Sequence, residues 1–133
     1  MAQTIQVLVI DDDRLIRVLL RSILENEGLQ VLDASGGRLG LKILRAAPCD
    51  LVITDLLMPD LDGVGVIREV RKEFPDVKII ALSGGGMTIT AGTALDVAQK
   101  SGALRSLVKP VMRQQLLMAI QELFPEWQPS EAI

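Results

Sequence analysis

The stretch Ile5-Gln-Val-Leu-Val-Ile-Asp-Asp-Asp-Arg14 changes its hydrophobic period at the centre, and that change decides the fold. Its first six residues are apolar except for Gln6, with almost no alternation. A strand covered on both faces reads this way, because neither face is left to water. From Arg14 the spacing becomes helical, with Leu15, Ile16, Leu19, Leu20, Ile23 and Leu24 on one stripe. Asp13 stands where a helix N-cap is needed and Gly28 where a helix ends.

The same alternation runs outward along the chain. A second, weaker strand is expected over Gln30–Ala34, then a helix over 38–47 with Leu39, Leu41, Ile43 and Leu44 apolar and Pro48 as its stop. A third strand over 51–54 ends at Asp55, and the turn segment Met-Pro-Asp-Leu-Asp-Gly follows over 58–63. Val66, Ile67 and Val70 mark a helix over 64–74, and a fourth strand over 77–82 ends at Ser83. Gly84, Gly85 and Gly86 open a loop, and a helix is expected over 93–101. A short strand over 104–108, the pair Lys109-Pro110 and a helix over 113–124 complete the pattern. Residues 1–124 therefore read as one domain and 125–133 as a short polar tail that frays, with Trp127 docked on its own domain. Five strand–helix units in series require a parallel sheet with helices on both faces, since crossovers are right-handed. GGRLG over 36–40 follows a strand but lacks the dinucleotide-binding order of glycines, and reads as a turn.

Composition narrows the chemistry. The 133 residues contain no His, one Cys and no Tyr, with 14 Lys+Arg against 17 Asp+Glu and a net charge of −3. Without His there is no Ser-His-Asp triad, no Cys-His pair and no His-ligated zinc. Cys49 alone makes neither an internal disulfide nor a thiolate cage, which suits a reducing cytoplasm. Net negative charge disfavours non-specific nucleic-acid binding, which rests on neutralising phosphates. No apolar run reaches the roughly 18 residues of a membrane span. The expectation is a cytoplasmic acidic domain.

In a parallel sheet of this kind the working site lies at the carboxyl ends of the strands. The residues there are Asp11, Asp12 and Asp13 after the first strand, Asp55 after the third, Ser83 after the fourth and Lys109 after the fifth. Carboxylates gathered on one edge repel one another and call for a cation. Oxygen ligands without His or Cys favour magnesium or calcium, and an open site with few carboxylates suits hydrated magnesium.

These residues, as VLVIDDDR over 7–14, LVITDLLMPDLDG over 51–63, IIALSG over 79–84 and SLVKP over 106–110, resemble the receiver domain of bacterial two-component response regulators. The resemblance extends over about 5–124. It implies a flavodoxin-like α/β fold with a doubly wound five-stranded parallel sheet of order 2-1-3-4-5. It further implies Asp55 as phosphoacceptor, Mg2+ held by Asp11, Asp12, Asp55 and the backbone carbonyl of Leu57, Ser83 as switch hydroxyl, and Lys109 as phosphate partner joined to Pro110 by a cis peptide. The implied partners are a histidine kinase or histidine phosphotransfer protein as donor and a downstream protein target, with no DNA-binding domain, no membrane contact, and a monomer or weak homodimer. Three positions depart from the family pattern. Ser106 stands where receivers carry a switch aromatic, while Leu57 and Gly85 offer no polar group to guide a water. The segment between Ser83 and Lys109 is also a few residues long for the family, and its glycine-rich start is expected to be mobile until phosphate orders it.

Two rival readings share parts of this pattern. A haloacid-dehalogenase-like phosphatase also uses an Asp after a strand, but requires a second Asp where Leu57 stands. A pseudo-receiver keeps the fold as an interaction module without phosphorylation.

Overall fold

The computed structural model describes residues 4–84 and 102–129. In chain order these form β1 (Gln6–Ile10), α1 (Arg14–Asn26), β2 (Gln30–Ala34), α2 (Gly37–Ala46), β3 (Leu51–Asp55), α3 (Gly63–Glu73), β4 (Lys78–Ser83), β5 (Arg105–Val108) and α4 (Arg113–Leu123). All strand pairs are parallel and the sheet order is β2-β1-β3-β4-β5, the order the family resemblance implies. The glycine-opened segment from Gly85 and the helix expected over 93–101 lie outside the described residues.

Burial explains the hydrophobic patterns. All five residues of the central strand β3 are buried, whereas the edge strands β2 and β5 expose residues, so only the inner strands read as unbroken apolar runs. Side chains alternate between two cores. Val7, Val9, Leu51, Ile53, Ile80 and Leu82 face the layer that includes Leu20, Leu24, Leu116 and Ile120 of α1 and α4. Leu8, Ile10, Val52, Ile79 and Ala81 face the layer that includes Leu41, Leu44, Val66 and Ile67 of α2 and α3.

Some details differ from the sequence expectation. On α1, Leu20, Ile23 and Leu24 are buried and Ile16 partly so, but Leu15 and Leu19 are 77% and 45% exposed. A helix lying on one face of a sheet buries a single stripe, and the six apolar positions span more than that stripe. Leu39 on α2 is exposed for the same reason. Asp55 and Ser83 belong to their strands rather than following them, because Leu82 and Val108 on neighbouring strands pair with them. The tail is held where it is described: Trp127 packs against the α1/α4 core, its amide donates to the Phe124 carbonyl at 2.9 Å, and Gln121 donates to Gln128 at 3.0 Å. Asp13 caps α1 through the Leu15 amide at 2.9 Å, and Gly28 follows the C-cap Glu27 with φ +83°. The Lys109-Pro110 peptide is cis.

The narrowed stripe on α1 has a direct consequence for stability. Leu20→Ala is expected to cost about 2–5 kcal/mol through the lost contacts and the cavity. Leu15→Ala should stay within about 0.5 kcal/mol, as for an exposed surface position. Urea unfolding of the two variants checks the difference, and equal losses would restore the wider stripe.

Candidate functional site

Strand register assembles the site. Ile10 pairs with Thr54, so Asp11, just past β1, and Asp55, at the end of β3, stand next to each other. Asp55 in turn pairs with Leu82, and Ser83 with Val108, which brings Ser83 and Lys109 to the same edge. The Lys109 amide donates to the Ser83 carbonyl at 2.7 Å, extending the β4–β5 pairing one step past the strand. Past β1, the Asp11 amide donates to the Ala34 carbonyl at 3.1 Å.

Each carboxylate has a distinct setting. Asp11 is fully buried; its Oδ1 accepts from the Asp13 amide at 2.9 Å, and its backbone carbonyl accepts from the Arg17 guanidinium at 2.8 Å. Asp12 is exposed, and Asp55 is 5% exposed. One ligand oxygen of each of Asp11, Asp12 and Asp55 lies within 4.8 Å of the others. The Lys109 ammonium bridges two of them, at 2.8 Å from Asp11 Oδ2 and 3.3 Å from Asp55 Oδ1. Ser83 is buried at the edge of this group, with its hydroxyl 3.5 Å from the Gly84 carbonyl.

Burial pushes the Asp55 carboxyl above its ordinary range, and the Asp11 charge adds to that push, while Lys109 opposes both. Burial pulls Lys109 down, but its hydrogen bond to Asp11 and the two carboxylate charges more than offset this and leave it raised. Three carboxylates against one ammonium leave an excess of negative charge at the strand ends. Hard oxygen donors at this mutual distance fit a magnesium-type cation, which takes one or two carboxylates and keeps several waters.

The remaining expectations fall into place around this group. Leu57 sits on the loop after β3 with its side chain 56% exposed, and it brings no polar group to the site. Ser106 lies on β5, and its hydroxyl is shut off from water with no hydrogen-bond partner among the described residues. Gly85 lies outside them. Two site-shaping residues escape the sequence reading. Arg17 is anchored between the Asp11 carbonyl and Asp33 at 3.4 Å, and its only sequence signal is a cation beside an apolar stripe. Asp60 reaches across to α2, a contact that no local pattern encodes.

Comparison with known proteins places this geometry. The family model of the response regulator receiver domain matches residues 7–121. A red-algal relative from Porphyra purpurea, "Probable transcriptional regulator ycf27", is 38% identical over 118 residues, covering 89% of this chain and 46% of that protein. The chain thus spans about half or less of the curated relatives it matches. Among solved structures, a response regulator receiver domain protein from Clostridium thermocellum is similar at TM-score 0.78 and 37% identity, covering 91% of this chain and 94% of that one. The chemotaxis protein CheY4 of Vibrio cholerae is similar at TM-score 0.81 and 27% identity, covering 90% and 98%. No helix among the described residues is long and apolar enough to cross a membrane. A doubly wound sheet with its acidic cluster and lysine at the strand ends, matched by that family model along most of its length, belongs to the receiver-domain family of two-component response regulators.

Proposed function

We propose that this chain accepts a phosphoryl group on Asp55 from the phosphohistidine of a histidine kinase or histidine phosphotransfer protein, and passes the signal to a protein target in the cytoplasm. The observation that carries the reading is the buried Asp11–Lys109–Asp55 arrangement, with one ammonium between two carboxylates. In the transfer a carboxylate oxygen of Asp55 attacks phosphorus as the P–N bond to the imidazole breaks. The donor imidazole keeps the electron pair of that bond and takes a proton, leaving an aspartyl phosphate.

Such a transfer needs positioning and charge neutralisation more than elaborate covalent chemistry. Asp11, Asp12, Asp55 and the Leu57 carbonyl would hold Mg2+, which supplies positive charge to the phosphoryl oxygens when bound. Lys109, already 3.3 Å from Asp55 Oδ1, neutralises a second oxygen, and Ser83 donates a hydrogen bond to a third. The Asp11 and Asp13 backbone contacts hold the carboxylates in place before the donor arrives. Output passes through a change of shape at the surface. A dehalogenase-type phosphatase lacks support, because Leu57 is apolar where its acid would stand. A module kept only for contacts has no use for an assembled set of three carboxylates and a lysine.

Incubation with acetyl phosphate and magnesium should raise the intact mass by one phosphoryl group, and Asp55→Asn should abolish the rise. A parent that stays unmodified, or a variant that is still modified, would overturn the assignment.

Magnesium binding checks the ligands. Loss of even an outer partner of a metal ligand costs about 10–100-fold in affinity. Asp12→Ala should therefore weaken binding at least about tenfold in an NMR titration, and an unchanged affinity would remove Asp12 from the site.

The raised pKa of Asp55 also has a sign for stability. The folded state holds this proton more tightly than the unfolded one, so stability falls as pH rises from 3.8 through the folded value. At pH 7 without metal, Asp55→Asn should stabilise the fold, a gain that shrinks as pH falls through the folded value and is gone below the ordinary carboxylate range. Thermal melting across pH reads this, and a variant less stable than the parent at pH 7 would contradict it.

A further inference from the structure

The loop over 56–62 between β3 and α3 carries Leu57 and is fastened at three points. At its end the Gly63 amide donates to the Leu56 carbonyl at 2.9 Å, and a Cβ on Gly63 would lie 2.6 Å from the Leu56 Cα. Asp62 caps α3 through the Gly65 amide at 2.8 Å. The third fastening is not local. Asp60 Oδ1 accepts from the Gly37 amide at 3.2 Å and Oδ2 from the Arg38 amide at 3.1 Å, so this carboxylate caps α2 from another part of the chain.

The first amides of a helix have no partner within the helix, and a carboxylate there is favoured by their charge. The N-cap residue of α2 is Gly36, which makes no side-chain cap of its own. The backbone hydrogen bonds, that from Arg38 first, hold the Asp60 carboxyl below its ordinary range. The two glycines form the seat for this contact. A Cβ on Gly36 would lie 3.0 Å from each Asp60 carboxylate oxygen, and one on Gly37 would lie 2.5 Å from the Leu61 carbonyl oxygen. The Gly36-Gly37 pair, which reads as an ordinary turn, thus lets the loop approach the helix.

We propose that Asp60 is a positioning residue for the phosphoacceptor site: its cap on α2 fixes the loop that presents Leu57, and through it metal loading and phosphoryl acceptance at Asp55. The inference rests on the function proposed for Asp55. A cap that served only α2 would need no more than Ser, Asp or Asn at position 36. Supplying the carboxylate from position 60, with glycines at 36 and 37 to admit it, ties the helix to the loop as well. Asp60 itself is exposed and bonds to α2 amides, so its effect on Asp55 is indirect.

A variant that restores the helix cap without restoring the tie separates the two roles. Magnesium affinity by NMR titration, the rate of phosphorylation by acetyl phosphate, and the metal-free melting temperature are measured for the parent, Asp60→Ala, Asp60→Asn and the double variant Asp60→Ala/Gly36→Asp. Asp60→Ala should lower all three, with magnesium affinity down about tenfold, the scale of losing an outer partner of a metal ligand. The double variant should regain melting temperature but neither affinity nor rate, and Asp60→Asn, with one accepting oxygen, should fall between parent and Asp60→Ala. If Asp60→Ala does not fold, the double variant and Asp60→Asn carry the comparison. Unchanged affinity and rate in the folded variants, or their full return in the double variant, would overturn the inference while leaving the function of Asp55 intact. A folded parent that neither binds magnesium nor takes up phosphoryl would overturn both.

Discussion

Two carboxylates stand side by side at the ends of adjacent parallel strands, with a single ammonium between them. That crowding of Asp11 and Asp55 around Lys109 is the constraint on which the rest of the structure depends. Parallel pairing places the ends of neighbouring strands on one edge, and the register puts acidic residues there just past β1 and at the end of β3. Burial makes the charges expensive; the Asp13 amide opposes that cost by donating to the Asp11 carboxylate, while Arg17 on the Asp11 carbonyl and the Leu56 amide on the Leu82 carbonyl at 3.0 Å fix the main chain around it. An arrangement so short of positive charge is poised to gain from a cation and from a group that Lys109 can follow.

The two cores serve this edge differently. The α1/α4 layer packs against Val9, Ile53 and Leu82, while the α2/α3 layer packs against Ile10, Val52 and Ala81. Residues near the strand ends are thus clamped from both faces. The loops that leave β1 and β3 are capped, with Asp13 opening α1 and Asp62 opening α3. Rigid supports under capped loops let exposed residues such as Asp12 and Leu57 hold a defined place beside the buried ones.

The two-sided layering and the roster of strand-end residues were legible because each rests on a local signal: unbroken apolar runs for inner strands, helical stripes between them, and polar residues at each change of period. The strand order came from the family resemblance alone. The width of the buried stripe on α1 was not legible, since Leu15 and Leu20 look alike in sequence and differ only in what the sheet covers. Strand ends slipped by one residue at Asp55 and Ser83 because pairing partners on other strands, not the residues themselves, decide where a strand stops. Arg17 and Asp60 stayed hidden for a related reason. Their partners are backbone carbonyls and amides, which carry no residue-type signature, and Asp60 finds its partners 22 and 23 positions away. Trp127 was legible as docked on its own domain, because a large aromatic ring in a polar tail has apolar area to bury, and it packs against the α1/α4 core.

The hydrogen bond from the Lys109 amide to the Ser83 carbonyl has a mechanical meaning. It yokes through the main chain the two residues whose side chains would meet a phosphoryl oxygen. A shift of the Ser83 main chain therefore bears on the Lys109 main chain, while the Lys109 ammonium stays free to turn on its own stem. β5 lies at the rim of the sheet and half-exposes its residues, so this pair joins the strand-end cluster by main chain to the edge of the sheet.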